Sequence, residues 1–412
     1  MLPGHYTPTL YEGMTRLSTW MPFARAVKEV GYFRHTHVTE ATVRRQTEAA
    51  GAAYVAVQEQ AVARLERDAP PAPQGPAQQF LSVDGAFVPL VGGEWAEVKT
   101  LVIGEVEPPK QVKDEIVIQT RALSYFSRLT DSTTFQRVAL VETHRRGVET
   151  AGAVGAVTDG AEWCQSFVDF HRSDAVRILD FPHAGEHLAQ IGQAVFGEGT
   201  SATEAWFTQQ LHHLKHEGPT AVLAEIHYLL AAHADLTALP EPVAYLDKRE
   251  AQMQYPAFQA AGWPIGDGAV ESGNKLVVEA RLKGSGMHWA RPHVDPLLAL
   301  RNLACNDRWE EGWLHIVSEL RRQTQQHSAE HRQQRRTRCE ARSLLLRPPD
   351  PEPNEAAPQP TESSTLTPHV LAPTPKPMAD KPKEPHRPAA NHPWRQPIVL
   401  KTKRQLTPAK RA

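Results

Sequence analysis

The sequence predicts an α/β fold in which a mixed sheet is followed by an all-helical insertion. Strand-like segments lie between residues 79 and 181, with one helical segment among them, whereas residues 184–262 show helical spacing almost throughout. Two short apolar strands, 154–158 and 175–181, run into the carboxylates Asp159 and Asp180. Because α/β folds usually place their chemistry at the carboxyl ends of buried strands, these two acids are the first candidates for a functional site.

Length and composition limit the class of protein. A chain of 412 residues can hold two or three domains with a sizeable core, and its formal net charge of −2 gives no global signal for a polyanion partner. The three cysteines are far apart and form no CxxC pair, which excludes an evident zinc finger and fits a reducing cytoplasm. No leader-like N-terminus and no apolar run of about 18 residues is present, so we expect a soluble cytoplasmic protein without a membrane partner.

Residues 1–68 are expected to be helical. Two short helices, 11–20 and 22–30, precede a long third helix that Thr39 can cap, and Gly31 is expected to end the second helix. Arg44 and Arg45 lie near the start of the third helix, as in a DNA-binding helix-turn-helix. The alternative is a helical packing region with solvated arginines.

The order of elements in the central region narrows the fold. Three strands (79–89, 95–107 and a third within 116–129), a helix (133–147), and then the strands 154–158 and 175–181 follow in sequence. This order suits a mixed α/β sheet of the ribonuclease H-like kind. We expect the following segments: helical region 1–68, linker 69–78, first part of the sheet domain 79–183, all-α insertion 184–262, remainder of the domain 263–346, and a Pro-rich, basic, disordered tail 347–412.

Three carboxylates could form one metal site. In a ribonuclease H-like sheet Asp84 and Asp159 would be on neighbouring strands, and the helix after the insertion would bring Glu271 beside them. Clustered carboxylates repel one another unless cations neutralise them, and Mg²⁺ (or Mn²⁺) suits hard oxygen ligands. Two such ions about 4 Å apart would activate a water or a 3′-hydroxyl and stabilise the leaving oxygen of a phosphodiester.

The ordered motifs VTDGAEW, ILDFPHAGEHL, WPIGDGAVESGNKLVVEARLKGSGMHW and LRNLACNDRWEEGW resemble those of bacterial insertion-sequence transposases of the ISKra type, within the DDE and Mutator-like group. The resemblance covers about residues 10 to 315. It implies a ribonuclease H-like catalytic domain that cleaves and transfers DNA strands at the ends of a mobile element with divalent metal. It assigns the acidic triad to Asp84, Asp159 and Glu271, and implies double-stranded DNA and a homo-oligomer as partners.

Departures from that pattern leave alternatives open. Asp267 stands where the family motif would have a small hydroxyl residue, and the N-terminal region is short for the family. The chain could therefore be a decayed or repurposed DNA-binding protein without catalysis, or a ribonuclease H-like nuclease without strand transfer. Asp180 remains the rival of Asp159 for the second acid, because it too ends a strand.

Several residues outside the triad are expected to contact DNA. His183 and His187 follow the second apolar strand, where the resemblance implies a histidine near the DNA. Their one-turn spacing would also suit zinc, but no third ligand is evident. The cations that follow Glu271 could hold the phosphate backbone or form a solvated helix face: Lys275, Arg281 and Lys283. The basic helix 314–346 and the tail are expected to contribute non-specific attraction to DNA.

Overall fold

The computed structural model describes residues 6–112 and 115–345, and its centre is a mixed five-stranded sheet. The strands are β1 Gln78–Pro89, β2 Trp95–Val106, β3 Lys110–Val112, β4 Glu115–Val117, β5 Thr120–Arg128, β6 Ala153–Thr158 and β7 Val176–Leu179. The sheet order is β5-β2-β1-β6-β7, and β3 pairs with β4 in a separate hairpin. The pairs β5–β2 and β2–β1 are antiparallel, whereas β1–β6 and β6–β7 are parallel. The predicted mixed α/β sheet is therefore confirmed.

Helices cover both faces of this sheet. The helices are α1 Pro8–Trp20, α2 Phe23–Arg34, α3 Glu40–Asp68, α4 Ser132–Arg145, α5 Glu162–Arg172, α6 Phe181–Phe196, α7 Ser201–His216, α8 Pro219–Ala232, α9 Pro240–Asp247, α10 Tyr255–Ala260, α11 Gly268–Gly273, α12 Ala280–Leu282, α13 Val294–Cys305 and α14 Trp309–Leu345. Successive strand residues point to opposite faces, so Leu81 and Val83 pack with α4 and α5, whereas Phe80 packs with the insertion helices.

The insertion consists mainly of helices with buried apolar stripes, as the sequence predicts. The single helix expected over 243–261 is wrong, however, because the chain forms α9, a short 3₁₀ turn at Glu250–Gln252, and then α10. Pro256 lies at the start of α10, where its missing N–H is harmless. The same proline within a continuous helix would remove a hydrogen bond and disfavour helical geometry in the preceding residue.

The N-terminal helices pack against the C-terminal ones. Buried side chains of α1, α3, α13 and α14 share one core, and Gly51 of α3 lies directly against the Pro296 backbone. Gly31 does not end α2, which continues to Arg34 and stops at His35 in the left-handed region (φ 48°). A single glycine costs a helix about 1 kcal/mol, which is too little to end it when the next turn can form.

The last helix has two different halves. From Trp309 to Leu320 it contributes buried side chains to the core shared with α1 and α3. Every side chain from Arg321 to Arg342 is exposed. The predicted disordered tail, 347–412, lies outside the described residues. No helix within the described residues combines the length and apolar character needed to cross a membrane.

Candidate active site

The register of the parallel strands brings Asp84 and Asp159 to the same level. Leu81 of β1 pairs with Ala156 of β6. Asp84 lies three residues further along β1, and Asp159 lies three residues beyond Ala156, directly after the last residue of β6. Asp84 lies within β1, which continues to Pro89. Its ladder with β6 stops at Leu81, so beyond that point β1 is paired only with β2. The two acids therefore lie at the same level of the sheet, where the parallel strands separate, and the charge of Asp159 acts on Asp84.

Asp84 is partly buried and accepts a hydrogen bond from the side chain of Asn274. The distance from Asn274 Nδ2 to Asp84 Oδ2 is 2.8 Å. Burial raises the pKa of Asp84 to about 6, and the charge of Asp159 adds to that shift. The hydrogen bonds to Asp84 therefore do not fully offset the free-energy cost of burying its charged form.

The turn after β6 is held from two sides. Asp159 Oδ1 accepts hydrogen bonds from the Ala161 amide (2.9 Å) and from Cys164 Sγ (3.3 Å). On the other side, the Tyr245 hydroxyl donates to the Asp159 carbonyl, and Arg249 Nε donates to the Gly160 carbonyl at 3.1 Å. The insertion therefore fixes the backbone that carries Asp159.

Asp180, the rival acid, has a structural task. It is 3% exposed, and both carboxylate oxygens accept backbone N–H groups, one from His183 and one from Asp267, each at 2.8 Å. The first of these bonds caps the N-terminus of α6. Burial raises the pKa of Asp180. Asp159, more accessible and level with Asp84, is geometrically the better second acid.

Asp267 occupies the N-cap position of α11, where an aspartate is expected to cap the helix. Its side chain nevertheless makes no capping hydrogen bond. Its backbone carbonyl accepts from the Val270 amide at 2.7 Å. Burial, followed by the charges of Asp180 and Asp84, raises the pKa of Asp267 to about 8. Its surroundings therefore favour the protonated form of the Asp267 carboxyl.

Glu271 lies on α11, exposed to solvent, and forms an ion pair with Lys275 at 3.6 Å. A π-helical segment, Asn274–Glu279, follows α11 directly. Such segments are rare and frequently occur at functional sites. Asn274, which bonds Asp84, lies one turn after Glu271 on the same face, so the helix of Glu271 is packed beside Asp84.

The donor types fit a divalent cation, although the side chains are not gathered around one point. Within 6–112 and 115–345, no group of three His, Cys, Asp or Glu side chains is arranged to hold a metal ion together. The pair His183 and His187 is likewise not part of such a group. Asp84 and Asp159 supply hard oxygen donors, and a cation between them would stabilise the charged form that burial disfavours. Glu271 would have to leave Lys275 to join them.

The residues expected to contact DNA fall into two groups. Arg44, Arg45, Lys275 and Lys283 are exposed, although Lys283 forms an ion pair with Glu279 at 2.7 Å. Arg281 is 1% exposed, so the prediction of a phosphate contact is wrong for it. Its guanidinium donates to the Ser18 carbonyl at 2.8 Å and stacks over Phe23 and Trp289.

The two histidines after β7 differ in their surroundings. His183 is partly exposed and lies 3.4 Å from Glu186. His187 stacks on Tyr245, with 3.9 Å between ring centroids. Burial and neighbouring cationic groups lower the pKa of His187, which favours its neutral form. Both histidines are partly exposed, and they differ in their neighbours.

Sequence reasoning missed three residues that shape the site. Asn274 could have been found, because it lies one turn beyond Glu271 on the same face. Tyr245 and Arg249 lie 86 and 89 residues from the backbone groups that they bind, and no local pattern signals those contacts.

A scan against models of protein families found no match, and a search of the curated proteins found none either.

Proposed function

We propose that this protein is a DDE transposase, an enzyme that uses divalent metal to cleave DNA strands and transfer them at the ends of an insertion sequence. The observation that supports this most is the level placement of Asp84 and Asp159 on adjacent parallel strands, with the Glu271 helix packed beside Asp84. The motif resemblance supplies the reaction, and the geometry is what that reaction would require of the two aspartates.

The sheet supports a ribonuclease H-like assignment. Its first three strands in the main sheet run antiparallel in the order β5-β2-β1, and two parallel strands are added beside β1 after helical crossovers. In that arrangement β1 is the central strand, and the strand added next to it carries the second acid. The insertion then separates the sheet from the helix with the third acid, as in the resembling family.

Each residue has a distinct role in the proposed site. Asp84 and Asp159 would hold the metal, Glu271 would complete the set, and Asn274 would fix the orientation of the Asp84 carboxylate. Bound Mg²⁺ or Mn²⁺ would supply Lewis-acid activation of the attacking hydroxyl and stabilisation of the leaving oxygen. Tyr245 and Arg249 hold the Asp159 turn in place, which preorganises the acid before substrate binds.

The test is cleavage and joining of the DNA that flanks the gene, assayed with Mg²⁺ for wild type, Asp159→Asn and Glu271→Gln. We expect each substitution to reduce cleavage by at least about 100-fold. Asp174→Asn is a matched control, because Asp174 is an exposed acid paired with Arg172. Full metal-dependent cleavage by Asp159→Asn would refute the proposal.

The products distinguish the alternatives. Joined products identify a transposase, whereas cleaved products without joining identify a nuclease on the same fold. Specific binding to terminal repeats without metal-dependent cleavage would identify a repurposed DNA-binding protein.

A further inference from the structure

The outer half of α14 is a long helix that packs against nothing in the described part of the chain. Its inner half is anchored by Trp309, Trp313 and Leu320, after which every side chain from Arg321 to Arg342 is exposed. At 1.5 Å per residue, this exposed half extends about 32 Å. A helix that is polar all round gains no stability from burial, so it depends on local pairs or on a partner.

Local pairs account for little of this segment. Arg322 pairs with Glu319 at 2.6 Å, and Arg336 pairs with Glu340 at 2.9 Å. The exposed pair Arg336–Glu340 contributes only about 0.3–0.5 kcal/mol, and Glu319 belongs to the buried inner half of α14. Seven arginines and two glutamates lie between positions 321 and 342. The segment therefore carries a strong excess of positive charge in a chain whose formal net charge is −2.

The unpaired arginines share one face. With 3.6 residues per turn, Arg321, Arg332, Arg335 and Arg342 fall within about 80° of one another around the helix axis. Within the described residues none of these four guanidiniums forms an ion pair or a hydrogen bond with another side chain. Gln325 and Ser328 lie on the same face, whereas Glu330 lies on the opposite face. We call the four arginines the arginine face.

We propose that the arginine face is a docking surface for the phosphate backbone of double-stranded DNA. Guanidinium groups bind phosphate oxygens through paired N–H donors, and the face is about as long as one turn of the duplex, roughly 34 Å. The absence of an apolar stripe on this exposed segment argues against a coiled-coil partner or a membrane surface. This assignment rests on the proposed function, since it adds a second contact for the DNA that the active site would cleave.

The experiment measures binding of the full-length protein to a fluorescein-labelled 30-base-pair duplex of arbitrary sequence across a salt series. Replacing Arg321, Arg332, Arg335 and Arg342 with Gln should lower the slope of log affinity against log salt by about 3–4, since each phosphate contact contributes about 0.9. Arg332→Gln with Arg335→Gln alone should give about half that change. Because all four side chains are exposed, the thermal unfolding midpoint should not move.

The matched control alters the other face: Gln326, Gln333, Gln334 and Thr337 are replaced with Ala, and the wild-type slope should remain. An unchanged slope in the arginine variants would overturn the proposal, as would an equal loss in the control variant. A preference for an RNA duplex of the same length, or for polyglutamate, would overturn the choice of DNA. Metal-dependent cleavage is measured separately. If the wild-type protein does not cleave but the arginine variants still lower the salt slope, the result counts only against the proposed function.

Discussion

Asn274 is the residue that connects the helix of Glu271 to the sheet. Its amide donates to Asp84 across 190 residues of sequence, and its own Oδ1 is buried without a partner in the described structure. A buried amide with one group unused is costly, so its position is held by the packing around it. The hydrogen bond to Asp84 favours the charged carboxylate, which is the form that binds a cation.

Asn274→Ala should therefore shift the pH dependence of cleavage. Cleavage is expected to rise as pH increases through about 6, because the pKa of Asp84 is about 6 and its ionised form binds metal. Loss of the Asn274 donor raises that pKa further, so the acid limb should move upward by about half to one pH unit. The measurement is a pH–rate profile at fixed Mg²⁺, with the exposed neighbour Ser272→Ala as control. An identical profile would show that Asn274 does not act through Asp84.

Asp267 gives a prediction about stability. Its pKa is raised from 3.8 to about 8 in the folded state, so folding favours the protonated form. Stability contributed by this raised pKa is present at low pH and is lost as pH rises from about 4 towards 8. Asp267→Asn removes that loss while keeping the backbone N–H that bonds Asp180. The variant should be more stable than wild type at pH 8 by several kcal/mol, since each pKa unit corresponds to about 1.4 kcal/mol, and nearly equal to it near pH 4.

Urea unfolding of both proteins at the two pH values measures the difference. A stabilisation of equal size at both pH values would contradict the explanation, because it would not follow the titration of Asp267. Asp267 is also the residue that departs from the motif of the resembling family. Urea unfolding shows whether this departure costs stability, whereas the cleavage assay shows separately whether it costs activity.

At the scale of elements, two side chains of the insertion bind the turn between β6 and α5. Gly160 has φ +78°, and a Cβ at that position would meet the side chains of Arg249 and Tyr245. One helix of the insertion, α9, and the residue Arg249 just beyond its end thus support this turn. The Phe181 amide donates to the Ile265 carbonyl at 2.9 Å and joins the two ends of the inserted segment.

Gly160→Ala should reduce both stability and cleavage. The left-handed backbone costs an alanine about 1–2 kcal/mol, and the displaced Arg249 would release its bonds to the Gly160 carbonyl. Gly199→Ala is a suitable control, because Gly199 also has a positive φ (+70°) but nothing lies within 4 Å of its Cβ position. Thermal unfolding should show a strain cost in both variants, and only Gly160→Ala should also lose cleavage. Equal cleavage by the two variants would refute the proposal that the contacts of Tyr245 and Arg249 hold the Asp159 turn in its active position.

At the scale of the whole molecule, two buried arginines tie the N-terminal helices to the helix after Glu271. Arg301 is 1% exposed and donates to the carbonyls of Val277 (3.1 Å), Thr19 (3.3 Å) and Leu276. These carbonyls belong to the π-helical segment and to the end of α1. Arg281 donates to the Ser18 carbonyl of the same α1 end. The linker 69–78 therefore separates regions that are adjacent in space.

Arg301→Met should destabilise the protein more than Arg281→Met. The first change removes a donor from carbonyls of two elements, whereas the second removes a donor from one carbonyl. We expect a loss of about 3–5 kcal/mol for Arg301→Met and roughly half of that for Arg281→Met. Urea unfolding measures both losses, and the reverse order would contradict this account of the contacts.

The sequence determined the local elements and the chemistry of the candidate site. Alternating and helical apolar spacing placed the strands of the main sheet, most insertion helices and the start of α14, because residues close in sequence encode those periodicities. The acids Asp84, Asp159 and Glu271 were identified from their places in the predicted strands and helix and from the motif resemblance.

Tertiary structure alone decided which of these residues meet. Strand register put Asp84 level with Asp159, while two backbone N–H groups occupied Asp180. Packing buried Arg281, although its sequence neighbours Lys275 and Lys283 stay exposed. Such outcomes depend on register and on contacts between distant segments, whose free energies are set by the assembled core rather than by local pattern.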